Sequence, residues 1–283
     1  MLESLLSAKK AEKKPWEMFF VGLVYVSVAV LFCLWIFQGY GGFVLVSLTM
    51  LASTILIYNI IKLEELKDKK IANEWLLLKE HSKALSFFMF LFLGFVVAFS
   101  LWYVFLPGDT ASVLFKEQIT TINKINTPPE VASVIDLYAT VGKIFWNNFR
   151  VLGLSLIFSL FYGMGAIFIL TWNASVIGAA IGNFIRNSLS TYANTLGFNS
   201  MSAYLHVLSI GLLRYLTHGV IEISAYFLAG LAGGIISVAV VRHDFMSKKF
   251  KHIISDATDL VIISIAILFL AALVEVFITP ALF

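Results

Sequence analysis

The sequence points to an all-α polytopic membrane helix bundle, and two observations carry that reading. The chain has 283 residues, 60% apolar and only 13% charged, with 26 phenylalanines. Soluble domains run at about 45–50% apolar and about 25% charged. The apolar residues are also gathered into runs of about 20, the length of a helix that crosses the hydrocarbon core of a bilayer. The same composition excludes intrinsic disorder. A lone cysteine, Cys33, excludes a disulfide scaffold. A net charge of +3 with no water-facing basic stripe speaks against nucleic-acid binding. The first apolar run is too long for a signal-peptide core and reads as a retained span.

Clear spans are expected at 17–37, 43–61, 84–106, 151–172 and 258–279. Two more, at 174–191 and at 219–241 with a run-in from 204, are interrupted by small and polar residues. Seven spans result. Three segments hold 14 of the 20 Lys and Arg residues: the N-terminal tail, the loop 62–83 and the loop 242–257. The turn Gln38–Gly42 holds none. Lys and Arg concentrate in cytoplasmic loops. Seven spans with the N-terminus inside put all three basic segments in the cytoplasm and the tail from Thr279 to Phe283 outside.

Residues 62–83 mix Glu64, Glu65, Asp68, Glu74 and Glu80 with lysines, which suits a solvated connector or a short helix with i,i+4 pairs. The outer segment 107–147 carries Val113, Leu114, Phe115, Ile119 and Ile122 at helical spacing. In it, Thr127 to Glu130 reads as a capping box with proline at the first helical position. Val131, Val134, Ile135, Tyr138 and Phe145 then share a face. These are amphipathic helices, set either on the outer leaflet or against the bundle. The chain divides into an N-terminal membrane hairpin with its connector, 1–83, and a membrane core, 84–283.

The most informative polar residues are Arg214, His218 and Glu222, four apart and so on one helical stripe. Tyr226, Gly230 and Gly234 continue it. An ionisable group at membrane depth costs about 2.5–3.5 kcal/mol on insertion scales, so this stripe should face protein or a wet cavity. An unbroken helix over 204–241 would be about 57 Å long against a hydrocarbon core of about 30 Å. A break near Gly219 is therefore expected, with a re-entrant or surface helix at 201–217. His218 and Glu222 then fasten neighbouring helices, line a transport path, or supply two metal ligands that lack an anchored third.

Asn148 opens a span whose Ser155, Ser159, Gly163 and Gly165 make a small-residue face. Asn173 is expected in a short turn between two apolar runs. Gly178 with Gly182, and Gly230 with Gly234, are pairs that permit close helix approach, within the chain or between two copies. Asn183 and Arg186 follow, and Arg186 is a candidate partner for Glu222. Glu275, in the last span, is another acid in need of a partner.

The stretches Trp146–Gly182 and Arg214–Gly234 resemble the stage II sporulation protein M family. Its pattern has Asn before a Gly-rich span, an Asn-Gly turn, and His-Gly-x-x-Glu opening a small-residue helix. Asn148, Gly163, Asn173, His218, Gly219 and Glu222 match; Ala174 stands where the turn glycine would be. The resemblance is close over 145–243 and looser over 84–283. It implies a prokaryotic integral membrane protein, similar to a scaffold that recruits cell-wall hydrolases at a division septum.

The expected function is thus a non-enzymatic multi-pass scaffold or assembly protein of the plasma membrane, without cofactor. Its rivals are a transporter or channel, and an intramembrane metalloenzyme. Expected partners are the lipid bilayer, cell-envelope or membrane proteins, and a second copy packed through a small-residue face. The lysine distribution makes a direct prediction. An impermeant thiol reagent applied to intact cells should fail to label Lys70→Cys; efficient labelling would reverse the orientation.

Overall fold

The computed structural model describes residues 12–68, 74–125, 134–159, 164–196, 201–241 and 248–282, with backbone alone at 68, 74–75, 78, 124–125, 134–136, 164–166, 188–196, 201–212, 214–216, 238–239, 241 and 248–249. Among the described residues every regular element is helical. Helices α1 (Glu17–Trp35) and α2 (Gly42–Asp68) form a hairpin, and α3 (Glu74–Phe105) follows. Gly39 supports the hairpin turn with φ +83°, a left-handed backbone that glycine adopts without penalty. Two short helices come next, α4 (Gly108–Leu114) and α5 (Lys116–Ile125), then α6 (Val134–Ser159), α7 (Met164–Leu196) and α8 (Met201–Val241). Helix α9 (Lys248–Leu273) runs through a π-helical turn, Val274–Ile278, into α10 (Thr279–Leu282).

Six of the described helices are long and apolar enough to cross a membrane: α1, Gly42–Lys67, Lys79–Phe105, Ile167–Asn187, Thr217–Ser237 and Phe250–Leu282. The expected spans at 17–37, 43–61, 84–106 and 258–279 fall on these. The boundary expected between the spans 151–172 and 174–191 is not where α7 (Met164–Leu196) has one: the helix runs straight through Asn173. Residues 160–163, within the first of these spans, lie outside the described residues. No turn forms at Asn173. Its side-chain amide donates to the Ile169 carbonyl 2.9 Å away, one turn back, and Ala174 beside it is a strong helix former. Gly163 lies outside the described residues.

The break expected near Gly219 is also absent. Helix α8 is 41 residues long without interruption, about 60 Å at 1.5 Å per residue. That exceeds the hydrocarbon core of about 30 Å, and the chain meets the excess with one continuous helix instead of a bend. A side chain at Gly219 would meet open space, so nothing there requires glycine.

Helix α8 is the centre of the bundle and packs on α2, α3, α6, α7 and α9. Helix α3 packs on α1 on one side and α7 on the other. Aromatic rings fill the space between: Phe88 stacks on Phe227 at 5.2 Å, and Phe92 meets Phe227 edge-on at 5.9 Å. The amphipathic helices pack on protein. Phe115 is fully buried against Phe99 and Tyr103. The Gln118 amide donates to Ser175 Oγ at 3.0 Å, and the Gly42 N–H donates to Glu117 at 2.7 Å. Residues Thr127–Val131, with the capping box, lie outside the described residues. The described residues of 62–83 are not solvated throughout. Helices α2 and α3 extend into it, and Glu64, Glu65 and His81 are buried between them.

Close backbone approach fixes two interfaces. A Cβ placed on Gly94 of α3 would lie 2.2 Å from the Phe19 carbonyl oxygen of α1, and one on Gly22 would lie 2.6 Å from the Leu91 oxygen. Across α3, a Cβ on Gly178 would meet Phe99 Cβ at 2.6 Å, and one on Gly182 would meet Tyr103 Cβ at 2.7 Å. Ser100 Oγ donates to the Gly178 carbonyl at 2.9 Å. The Gly178–Gly182 pair is therefore spent inside the chain and is not a face for a second copy. Gly234 rests on Ile61 of α2. Gly233, which the sequence reading passed over, meets Ser159 and Leu156 of α6.

Gly94→Ala should push α1 off α3 and cost about 1–3 kcal/mol, the usual penalty of overpacking. Gly153→Ala, with open space at its Cβ, should be neutral or better. Thermal unfolding of both variants in one detergent checks this; an equal effect would refute the contact.

Candidate functional site

Helix α8 brings His218, Glu222 and Tyr226 onto one face, each four residues from the last. Tyr226 is fully buried, and its hydroxyl donates to Glu222 Oε1 at 2.6 Å. The Asn148 side chain of α6, itself buried, also hydrogen-bonds Glu222. The carboxyl group is thus held by two neutral groups from two helices.

The end of α9 closes the third side. Pro280 has no N–H to give the Val276 carbonyl, and its ring crowds that turn. The helix widens just before it into the π turn Val274–Ile278, a form often found at functional sites. Thr279 Oγ1 donates to the Val274 carbonyl at 3.2 Å and lies 3.3 Å from His218 Nδ1. Glu275, on the π turn, is within electrostatic reach of Glu222. Six side chains from three helices therefore share one region: Asn148, His218, Glu222, Tyr226, Glu275 and Thr279. Their hydrogen bonds tie α6, α8 and the end of α9 together.

The arginines play other parts than expected. Arg186 turns away from Glu222 to the end of α3. One guanidinium nitrogen lies 2.7, 3.1 and 2.5 Å from the carbonyl oxygens of Tyr103, Val104 and Leu106. The guanidinium also lies over the Tyr103 ring, 5.2 Å from its centre. The side chain of Arg214 lies outside the described residues. Asn183 joins the Arg186 end, its Oδ1 accepting from Asn187 at 3.3 Å. Asn173 is satisfied within its own helix. Among the described residues no three His, Cys, Asp or Glu side chains group so as to hold a metal ion.

Of the residues singled out in the sequence, the fold assembles Asn148, His218 and Glu222. Tyr226 had been read only as the next step of the stripe, and Glu275 only as an acid lacking a partner. Thr279 carried no signal apart from the proline after it. A separate cavity of about 30 Å³ between α2, α3, α7 and α8 is lined by apolar groups such as Ile61, Phe92 and Phe227, with Thr171, and by none of the six clustered side chains.

Glu222→Ala should leave Asn148 and the Tyr226 hydroxyl without their acceptor and cost about 1–3 kcal/mol. Glu222→Gln retains an acceptor oxygen and should cost less, and Tyr226→Phe should fall between. Melting temperatures in a single detergent give the ranking; equal and negligible losses would show that the cluster does not fasten the helices.

Over 166 residues the chain is 28% identical to an uncharacterized protein of Methanocaldococcus jannaschii, covering 57% of this chain and 83% of that one. No solved structure matches the chain. The family described as Stage II sporulation protein M matches residues 84–280, a stretch that holds all six clustered side chains. The chain belongs to the stage II sporulation protein M family.

Proposed function

We propose that the chain is a non-enzymatic, multi-pass scaffold or assembly protein of a prokaryotic plasma membrane, with its N-terminus in the cytoplasm and, taking α6 as a seventh crossing beside the six helices named above, its C-terminus outside. The observation that carries this reading is how the polar groups of the core are used. Glu222 is bonded by Asn148 and Tyr226, and Arg186 by three carbonyl oxygens. Such groups lock helices at fixed positions, which suits a protein whose task is to present a rigid surface to lipid and to cell-envelope proteins. Family membership supports the membrane setting. The lysine-rich ends of α2 and α3 support the orientation. A homodimer, as part of this proposal, has to use a face other than Gly178, Gly182 and Gly234, which already meet α3 and α2 of their own chain.

One observation favours transport instead. Glu222 and Glu275 lie within electrostatic reach of each other beside a π turn, and paired acids inside a membrane are a common element of proton and cation pathways. Flux separates the two readings. Liposomes containing the purified protein should pass protons, sodium and potassium no faster than empty liposomes. Flux above that level that is abolished by Glu222→Gln would replace the scaffold reading with a transporter.

A further inference from the structure

A second group of ionisable side chains lies at the lysine-bearing end of the bundle. The Lys67 ammonium of α2 is 2.8 Å from Glu12 Oε1, 2.7 Å from Glu64 Oε1 and 3.5 Å from Glu80 Oε2. The second oxygen of Glu64 is 2.8 Å from His81 Nδ1. Glu80 is also paired with Lys83. Glu64 is fully buried, and only 9% of the Glu12 side chain is exposed. Glu12 belongs to the short stretch ahead of Pro15, so the contact joins the chain before α1 to the α2–α3 hairpin.

Three carboxyl groups thus converge on one ammonium. Glu12 meets Glu64 and Lys67 of α2 directly; Glu80 and His81 of α3 join the cluster through Lys67 and Glu64, and Lys13 and Lys14 follow Glu12 in its own segment. If all three acids are ionised, the cluster holds more buried negative charge than Lys67 neutralises. A proton on Glu12 lowers that surplus by one charge and converts a repulsion between Glu12 and Glu64 into a hydrogen bond donated to the Glu64 carboxylate. We propose that Glu12 is a proton-operated latch, holding the segment ahead of α1 against α2 and α3 when protonated and loosening its hold when ionised.

The position of the titration agrees with this geometry. Burial first, and the bond to Glu64 second, raise the Glu12 carboxyl from 4.5 to about 7. A group that binds its proton more tightly when docked favours docking at low pH. Docking is therefore complete below about 4.5 and weakens as pH rises through 7, with no further change above. Between pH 5.5 and 8.5 the docking equilibrium should fall about tenfold, allowing for partial solvent screening. The latch is independent of the scaffold reading and lies outside the stretch 84–280 matched by the family.

The test uses the full chain in lipid nanodiscs, with Cys33→Ala to remove the native thiol and Lys13→Cys to carry a nitroxide; Lys13 is exposed. The mobile fraction of the spectrum should grow from pH 5.5 to 8.5 with a midpoint near 7. Glu12→Gln, which cannot ionise but can still donate to Glu64, should remain immobile across the range. The proposal is overturned by a flat spectrum in the protein with Glu12, or by the same pH response in Glu12→Gln. It is equally overturned if Glu12→Gln is mobile at every pH, because a plain Glu12–Lys67 ion pair would then be what holds the segment.

Discussion

Helices in hydrocarbon gain nothing from hiding apolar side chains from one another, because lipid tails are equally apolar. What brings them together is close packing and the hydrogen bonds that closeness allows. In this bundle the contact on which the rest depends is the two-sided clamp on α3. Gly22 and Gly94 bring the backbone of α1 against one side, while Gly178 and Gly182 of α7 bring another backbone against the opposite side. Ser100 can reach the Gly178 carbonyl only because no side chain separates the helices. With α3 fixed, the rings of Phe88 and Phe92 meet Phe227 and set the depth and rotation of α8. That rotation aims Glu222 and Tyr226 inward.

The clamp also explains how the buried charges are shared out. Helix α3 ends at Phe105, and Pro107 two residues later has no N–H to offer. The last carbonyls of a helix need donors from elsewhere, and a cation suits the negative end of the helix dipole. Arg186 lies one turn beyond Gly182, on the same face of α7, so the close contact at Gly182 delivers its guanidinium to Tyr103, Val104 and Leu106. An arginine used in this way is not available to Glu222. The carboxyl group is left to neutral donors, which hold it without the strict geometry of an ion pair.

Much of this was legible in the sequence because it follows from periodicity. The four-residue spacing of His218, Glu222 and Tyr226 placed them on one face, and the small-residue pairs marked where helices approach. What failed was inference about ends. Asn173 resembled a turn because it interrupts an apolar stretch, yet asparagine inside a helix can bond the carbonyl four residues back, and it does. Gly219 resembled a hinge on the assumption that a helix longer than the hydrocarbon core must break, yet α8 runs through it without interruption. Pairing Arg186 with Glu222 matched opposite charges at similar depth, but the demand of a helix terminus for donors is local and came first. The cluster around Lys67 was read as solvated because charged residues usually are. Its burial depends on α2 and α3 continuing past the spans expected at 43–61 and 84–106 to pack against each other, which periodicity in the separate segments does not reveal.

The two carboxylate clusters answer the same physical problem differently. Around Glu222 the solution is neutral hydrogen bonding: a phenol, an amide and a widened helix turn that brings Thr279 to His218. All of it lies within the stretch that defines the family. Around Glu64 the solution is ionic, with one lysine shared by three acids, and all of its members precede residue 84. The hairpin that carries most of the second cluster is nevertheless not a loose appendage. Its α1 is seated on α3 by Gly22 against Gly94, and Trp102 Nε1 donates to Ser27 Oγ at 3.0 Å. Any change in the seating of α1 therefore acts first on α3, and through the phenylalanines of α3 on α8. A charge cluster that grips the chain just ahead of α1 is placed where a change of one proton can be felt along that route.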